Sequence, residues 1–350
     1  MRRALALALL ALAAAAPSAA ATTPVPPCVR SGERVIARSP QVVVVSKVTP
    51  STWTVHACLR LTGQRTPLGR LRVEPGAGAT VGPFAFAGSA IAYGRTHHEK
   101  GTSWHDVVAR DLRRPGRVRE GYASGPVRRI AVDRQGRVVA ASAIALRAVT
   151  ADGERLLDAA VRGTLSDLEI VAGEARWSHA GEPRRAPLAL TGGCAPPPGT
   201  VLGRQSETAV VGSRRGAAAV CAFSGGGWRT LRDPDAPQRP ATGIDLAGPY
   251  AAVRRVTASG SILLRVHDAA SGDALGIPVA MEKPFHQWAL AADGTLVVQT
   301  DAALTAHRLD GSTAVLRDSG SFYGFLAVDD AARAVVYETV GAGSLPLPPA

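Results

Sequence analysis

The sequence has no asparagine, and only three of its 40 basic residues are lysine, Lys47, Lys100 and Lys283. That usage is the mark of GC-rich codons, so the formal charge of +12 reflects composition before it reflects a partner. Aromatic residues are also scarce, at 5%, and they are not interleaved with the basic pairs Arg113-Arg114, Arg128-Arg129, Arg184-Arg185, Arg214-Arg215 and Arg254-Arg255. Without a dense basic stripe or a known module, nucleic acid is excluded as a partner. The pairs read as spread along the chain on a solvated surface, with binding of an anionic cell-surface polymer as the functional alternative.

Other absences exclude chemistry. There is no CxxC, which removes zinc-ribbon and redox motifs. There is no GxSxG elbow, no GxxxxGK[ST] phosphate loop, no GxGxxG after a strand and no HExxH. No residue is therefore assigned as catalytic, and no cofactor is expected. Beyond the N-terminus no apolar run reaches 18 residues, so no transmembrane helix is expected there.

What is present begins with a leader. Arg2 and Arg3 precede ALALALLALAAAA, an apolar run of 13 residues, and Ala19-Ala20-Ala21 supplies small residues for cleavage. This reads as a signal peptide over residues 1–21. It predicts export to the medium or the outside of the cell envelope. Four cysteines in an exported chain then predict disulfides.

The remaining sequence is written twice. Cys28 aligns with Cys194, Cys58 with Cys221, AGSAIAYGR from Ala87 with AGPYAAVRR from Ala247, and IAVDRQGRVV from Ile130 with WALAADGTLVV from Trp288. The separation falls steadily from 166 residues to 158, as in a duplication whose second copy has lost loop residues. The halves run over about 28–190 and 194–350. Within each half a shorter beat recurs. In WALAADGTLVVQTDAALTAHRLDGSTAVLRD, four short apolar or alternating runs are separated by turns, two of them Asp-Gly, which is the pattern of β-hairpins. Four strands per roughly 40 residues is a propeller rhythm.

The chain is therefore expected to be all-β, a single β-propeller domain over 22–350. It would have about eight, alternatively seven, small four-stranded blades. Units begin near residues 33, 83, 126, 165, 199, 242, 285 and 322, and the segment TTPVPPC is expected to complete the last one. A pair of β-sandwiches is the rival. The rhythm resembles that of secreted bacterial propellers loosely grouped as TolB-like and WD40-like, a likeness of strand pattern without a shared motif. Four cysteines allow three pairings. Equivalent positions of two half-rings lie across the molecule from each other, beyond disulfide reach. The ring thus favours Cys28–Cys58 and Cys194–Cys221.

Function is sought in what one half has and the other lacks. GRTHHEKGTSWHD, residues 94–106, is expected to be a loop between the second and third strands of unit two. It carries His97, His98, Glu99, His105 and Asp106, weak candidates for ligand binding. Imidazole and carboxylate suit a divalent metal, but the spacing matches no ligand pattern and no metal is assigned. RDPDAPQRP, residues 232–240, reads as a rigid polar connector. In MEKPFHQW, residues 281–288, Phe285 and Trp288 read as core, while Glu282 and His286 read as exposed. The functional expectation is an exported, monomeric, non-catalytic binding or docking protein whose partner is a protein or an anionic polymer. The alternative is an extracellular hydrolase or lyase with its site at the propeller axis.

Overall fold

The computed structural model describes residues 28–72, 77–99, 102–234, 239–281, 285–318, 326–331, 333–338 and 342–347. The expected signal peptide, and the segment 22–27 expected to complete the last unit, lie outside the described residues. So do the side chains of Glu99, Glu282, Phe285 and His286.

Among the described residues, thirty strands and one 3₁₀ turn, Gly192–Cys194, make up the regular structure. The strands fall into eight antiparallel meanders in chain order. Unit one is β1 (Arg34–Arg38), β2 (Val42–Val48), β3 (Thr52–Leu59) and β4 (Gln64–Arg72). Unit two is β5 (Ala77–Ala87), β6 (Ala90–Glu99), β7 (Thr102–Asp111) and β8 (Arg114–Tyr122). Unit three is β9 (Arg129–Val132), β10 (Val138–Ala141), β11 (Ala145–Thr150) and β12 (Gly153–Ala159). Unit four has three strands, β13 (Leu165–Val171), β14 (Glu174–His179) and β15 (Glu182–Pro187). Unit five is β16 (Val201–Gln205), β17 (Ala209–Arg214), β18 (Ala217–Ala222) and β19 (Trp228–Thr230). Unit six is β20 (Ala241–Ala247), β21 (Tyr250–Val256), β22 (Ile262–Asp268) and β23 (Ala274–Met281). Unit seven is β24 (Phe285–Leu290), β25 (Leu296–Thr300), β26 (Ala303–His307) and β27 (Thr313–Asp318). Unit eight again has three, β28 (Leu326–Asp329), β29 (Ala334–Glu338) and β30 (Ala342–Pro346). Among the described residues, no helix is long and apolar enough to cross a membrane.

The local sequence explains the units. Inner strands are runs of Val, Ala and Leu buried on both faces. Val42, Val43, Val44 and Val45 are all 5% exposed or less, and burying such a side chain is worth roughly 1.5–3 kcal/mol. An outer strand such as β27 alternates instead, because one face meets water. The Asp-Gly signals close turns as read. Gly294 has φ +83°, and a Cβ there would lie 2.7 Å from Leu309, so the turn needs glycine.

Consecutive units pack face to face. Val44, Val55, Ile91 and Tyr93 join units one and two, and Val139, Leu146, Trp177 and Leu188 join three and four. Leu246, Val253, Val211 and Val220 join five and six. The arrangement is propeller-like, and its units are not equivalent. Strand β12 pairs in parallel with β16, with Leu156 opposite Arg204, so units three and five form one eight-stranded sheet. β12 also packs against β28, with Ile144 and Ala159 meeting Ala327 and Val336. A cycle of contacts therefore runs β12, β16, β20, β24, β28 and back to β12. Units one and two stack onto it through unit three, while unit four also meets units five and eight, where Gln205 Nε2 donates to the Pro187 carbonyl at 3.0 Å and His179 meets Asp329.

Both cysteine pairs are disulfides within one half, Cys28–Cys58 and Cys194–Cys221. Connector 232–240 is anchored by Asp233, which is 2% exposed. Its carboxylate lies 3.8 Å from Arg255 Nε and 3.7 Å from Arg265 Nε.

Candidate functional site

The histidine-rich segment is a hairpin rather than a loop. β6 continues to Glu99 and β7 begins at Thr102, so the expected loop residues are strand residues. Their register puts Arg95 opposite Asp106, Thr96 opposite His105, His97 opposite Trp104 and His98 opposite Ser103. Strand alternation then divides them between two faces. His97 and Asp106 share one face. His97 stacks on Trp104 with ring centroids 5.3 Å apart, and its Nε2 lies 3.4 Å from Asp106 Oδ2. Asp106 is held by Arg95, whose Nε and Nη2 donate at 3.2 and 2.9 Å. Arg95 also pairs with Glu120. On the other face His98 meets the Ser103 hydroxyl at 2.7 Å and His105 meets Thr96 at 2.9 Å. Burial, then the Arg95 charge, pulls His97 below the usual imidazole range, and burial does the same to His105. The hairpin is thus a ladder of cross-strand pairs. Among the described residues no group of His, Asp, Glu or Cys is arranged to hold a metal ion.

The other end of the same sheet carries a different arrangement. Arg110, Arg113, Arg114, Arg117, Arg119 and Arg134 line one cleft of about 690 Å³, and among the described residues Asp111 is the one acidic group in its lining. The basic residues read as scattered are here gathered. Local geometry does the gathering. Asp111 pairs with Arg114 across the β7–β8 turn, while Arg110 pairs with Val118, so residues 115–117 bulge from the strand. The turn is held by Asp111 Oδ1, which accepts the Arg113 N–H and the Ser89 hydroxyl, both at 3.0 Å. Leu112 anchors it in the core at 1% exposure. Arg134 arrives from the β9–β10 turn of unit three, and Gln41 closes the cleft from unit one. Gly88, at φ +63°, takes the left-handed backbone of the β5–β6 turn beside Gln41 and Arg134.

Arg113, Arg114, Arg117 and Arg134 are exposed, and Arg110 and Arg119 half-buried. Arg119 Nη1 donates to the Gln135 carbonyl at 2.8 Å. Arg110 Nε is buried with no hydrogen-bond partner among the described residues. Six arginines around a cleft with one carboxylate set up a local positive potential, and the planar forks of the exposed ones fit carboxylate, sulfate or phosphate oxygens. The lining contains no Phe, Tyr or Trp, so there is no platform on which a base could stack. Sequence reading missed this site because it counted pairs. The signal available was the run RDLRRPGRVR, residues 110–119, with five arginines inside ten residues.

No protein-family model matches the chain, and no curated protein matches it. Among solved structures it is similar to the β-propeller domain of the Trilobed protease from Pyrococcus furiosus. That likeness has a TM-score of 0.32 at 10% identity and covers 76% of this chain and 93% of that one. It is also similar to an oligogalacturonate lyase in complex with manganese, with a TM-score of 0.30 at 11% identity over 88% and 86%. A third is PorZ, a surface component of the type IX secretion system of Porphyromonas gingivalis, with a TM-score of 0.32 at 9% identity over 90% of this chain and 38% of that one. At these scores none of the three lends this chain a function.

Proposed function

We propose that the protein is exported and acts outside the membrane as a non-catalytic, monomeric binding protein. We assign its partner as an anionic cell-surface polymer held by the arginine cleft. The observation that carries this reading is the convergence of six arginines on one cleft with a single carboxylate. Guanidinium is a binding group that keeps its proton at any physiological pH, so the cleft is suited to holding a polyanion. Two disulfides fit an oxidising compartment outside the cell. The chain fits best among exported propeller-like proteins, and the TolB-like or WD40-like likeness remains one of strand rhythm.

The alternative, a hydrolase or lyase at the axis, draws on Asp245 and Asp330, whose carboxyls are pushed up by burial. Both are already engaged as staples between units. Asp245 Oδ2 accepts the Leu290 N–H at 3.1 Å, and Asp330 Oδ1 accepts the Ala292 N–H at 2.7 Å. Carboxylates that hold the scaffold in this way favour the binding reading.

The test is binding of dextran sulfate and polygalacturonate, against neutral dextran, at several salt concentrations. Arg113, Arg114, Arg117 and Arg134 are exposed, so changing all four to Gln leaves the core intact. At roughly 0.5 kcal/mol per exposed contact the variant should bind about thirty-fold more weakly, with a shallower dependence on salt. Equal binding of neutral dextran, or an unchanged affinity in the quadruple variant, would overturn the assignment.

A further inference from the structure

The contact cycle of β12, β16, β20, β24 and β28 encloses an axis, and a cleft of about 600 Å³ opens onto it. All five strands line this cleft, among them through Leu156, Ile244, Trp288 and Leu326. Arg204, on β16, stands in the wall between this cleft and a smaller cavity of about 260 Å³. It is 7% exposed. Its Nη1 has no hydrogen-bond partner among the described residues.

The nearest carboxylate oxygen is Asp245 Oδ1 at 3.8 Å, beyond hydrogen-bond distance. Asp245 does not turn toward it. Its Oδ1 accepts the Leu246 N–H at 2.8 Å and its Oδ2 accepts the Leu290 N–H at 3.1 Å. The other two arginines of the cleft are occupied. Arg147 binds Glu154 at 2.7 Å and Ser124 at 2.8 Å, and Arg254 donates to the hydroxyl and carbonyl of Thr242. A buried guanidinium N–H left without an acceptor is costly unless something completes it. The smaller cavity is lined by three carboxylates, Asp158, Glu207 and Asp330, against Arg184, Arg204 and His179, and the larger by two, Glu154 and Asp245, against three arginines, so an anion is favoured on the larger side. There Leu156, Leu202, Ile244 and Leu326 supply apolar surface between the charged groups, with the Trp288 ring half-buried beside Gly243.

We infer that the axial cleft is a binding site for a small organic carboxylate with an apolar body. The carboxylate accepts from Arg204 Nη1, and the body lies against Trp288, Leu326 and Ile244. The volume is in the range of small-ligand sites. This inference does not rest on the arginine cleft, which is built from other units.

The experiment uses the full chain, oxidised, in carboxylate-free buffer. Benzoate and cyclohexanecarboxylate are compared with their neutral amides by calorimetry and by tryptophan fluorescence. The carboxylates should bind about ten-fold or more tightly than the amides. Arg204→Met should abolish that preference. Gly243→Val should block all four probes, because a Cβ at Gly243 has ordinary contacts of 3.4–3.5 Å with Arg254 and Trp288 and points a larger side chain toward the ring. Should Arg204→Met fail to fold, Gly243→Val and the carboxylate-to-amide ratio on the native protein still decide. Equal binding of acid and amide, no binding up to about 20 mM, or a preference that survives Arg204→Met would each overturn the site.

Discussion

Replacing His179 by leucine is expected to destabilise the protein by about 3–5 kcal/mol, the cost of removing one partner from a buried ionic cluster. His179, on β14, is 2% exposed and stands between two carboxylates from other units. Its Nδ1 lies 3.0 Å from Asp158 Oδ2 on β12, and its Nε2 lies 3.2 Å from Asp329 Oδ1 on β28. The Trp177 indole N–H also donates to Asp158 at 2.7 Å, and the Val161 N–H donates to Asp329 at 2.6 Å. One imidazolium thus ties units three, four and eight where the contact cycle closes. Its hydrogen bond to Asp158, then its pairing with Asp329, raises its pKa to about 9, against the opposing effect of burial.

The direction of the pH effect follows. A histidine whose folded pKa lies above its ordinary value of 6.5 stabilises fully below that value, and the stabilisation is lost as pH rises through about 9. The amount at stake is on the order of 3 kcal/mol. Urea unfolding should show the native midpoint falling between about pH 6.5 and pH 9.5, with His179→Leu low and flat across the same window. Parallel curves for the two proteins would show that the cluster does not carry this stability.

The second large effect concerns the disulfides. They join residues 30 and 27 apart in sequence, and each should contribute roughly 3–4 kcal/mol by restricting the unfolded chain. Cys194–Cys221 does more than close a loop. It packs with Leu190, Leu202 and Val210, fixing the connection from unit four to the sheet that pairs with β12. Cys28–Cys58 holds the N-terminal segment in which Glu33 pairs with Arg65, an arrangement that lowers the Glu33 carboxyl to about 2. Replacing Cys194 and Cys221 by alanine should cost about as much as replacing Cys28 and Cys58. The two losses should add, because the bridges share no partners. A reduced protein with an unchanged unfolding midpoint would contradict this.

The elements that sequence reading placed well are those whose signal is local. Unit starts at 34, 129, 165, 201, 241, 285 and 326 fall within a few residues of those expected from turn signals and Val-rich runs. Unit two begins earlier than expected, at Ala77. The cysteine pairing followed from the repeat, since a half-length separation is too far to bridge. What was not legible depends on partners distant in sequence. GERLLDA, residues 153–159, is the last of the four strands of its unit. Only its parallel pairing with β16 and its contact with β28 make it an inner strand buried along most of its length. The apolar pair Leu156-Leu157 between Arg155 and Asp158 was the trace of that role. Arg155 is 1% exposed and donates to Gln205, Thr150 and two backbone carbonyls. The strand beat places the histidine segment between two strands, yet cross-strand pairing of polar side chains extends both strands through it. The arginine cleft was hidden by the bulge at 115–117, a register shift with no mark beyond Pro115-Gly116.

Amide hydrogen exchange tests the proposed arginine binding surface most directly. The protein would be labelled with and without saturating polygalacturonate at low salt. Added protection is expected at residues 87–89, 110–119 and 134–136, and its loss when salt displaces the polymer. Protection confined to the 95–106 hairpin, or binding with no local protection at all, would contradict it.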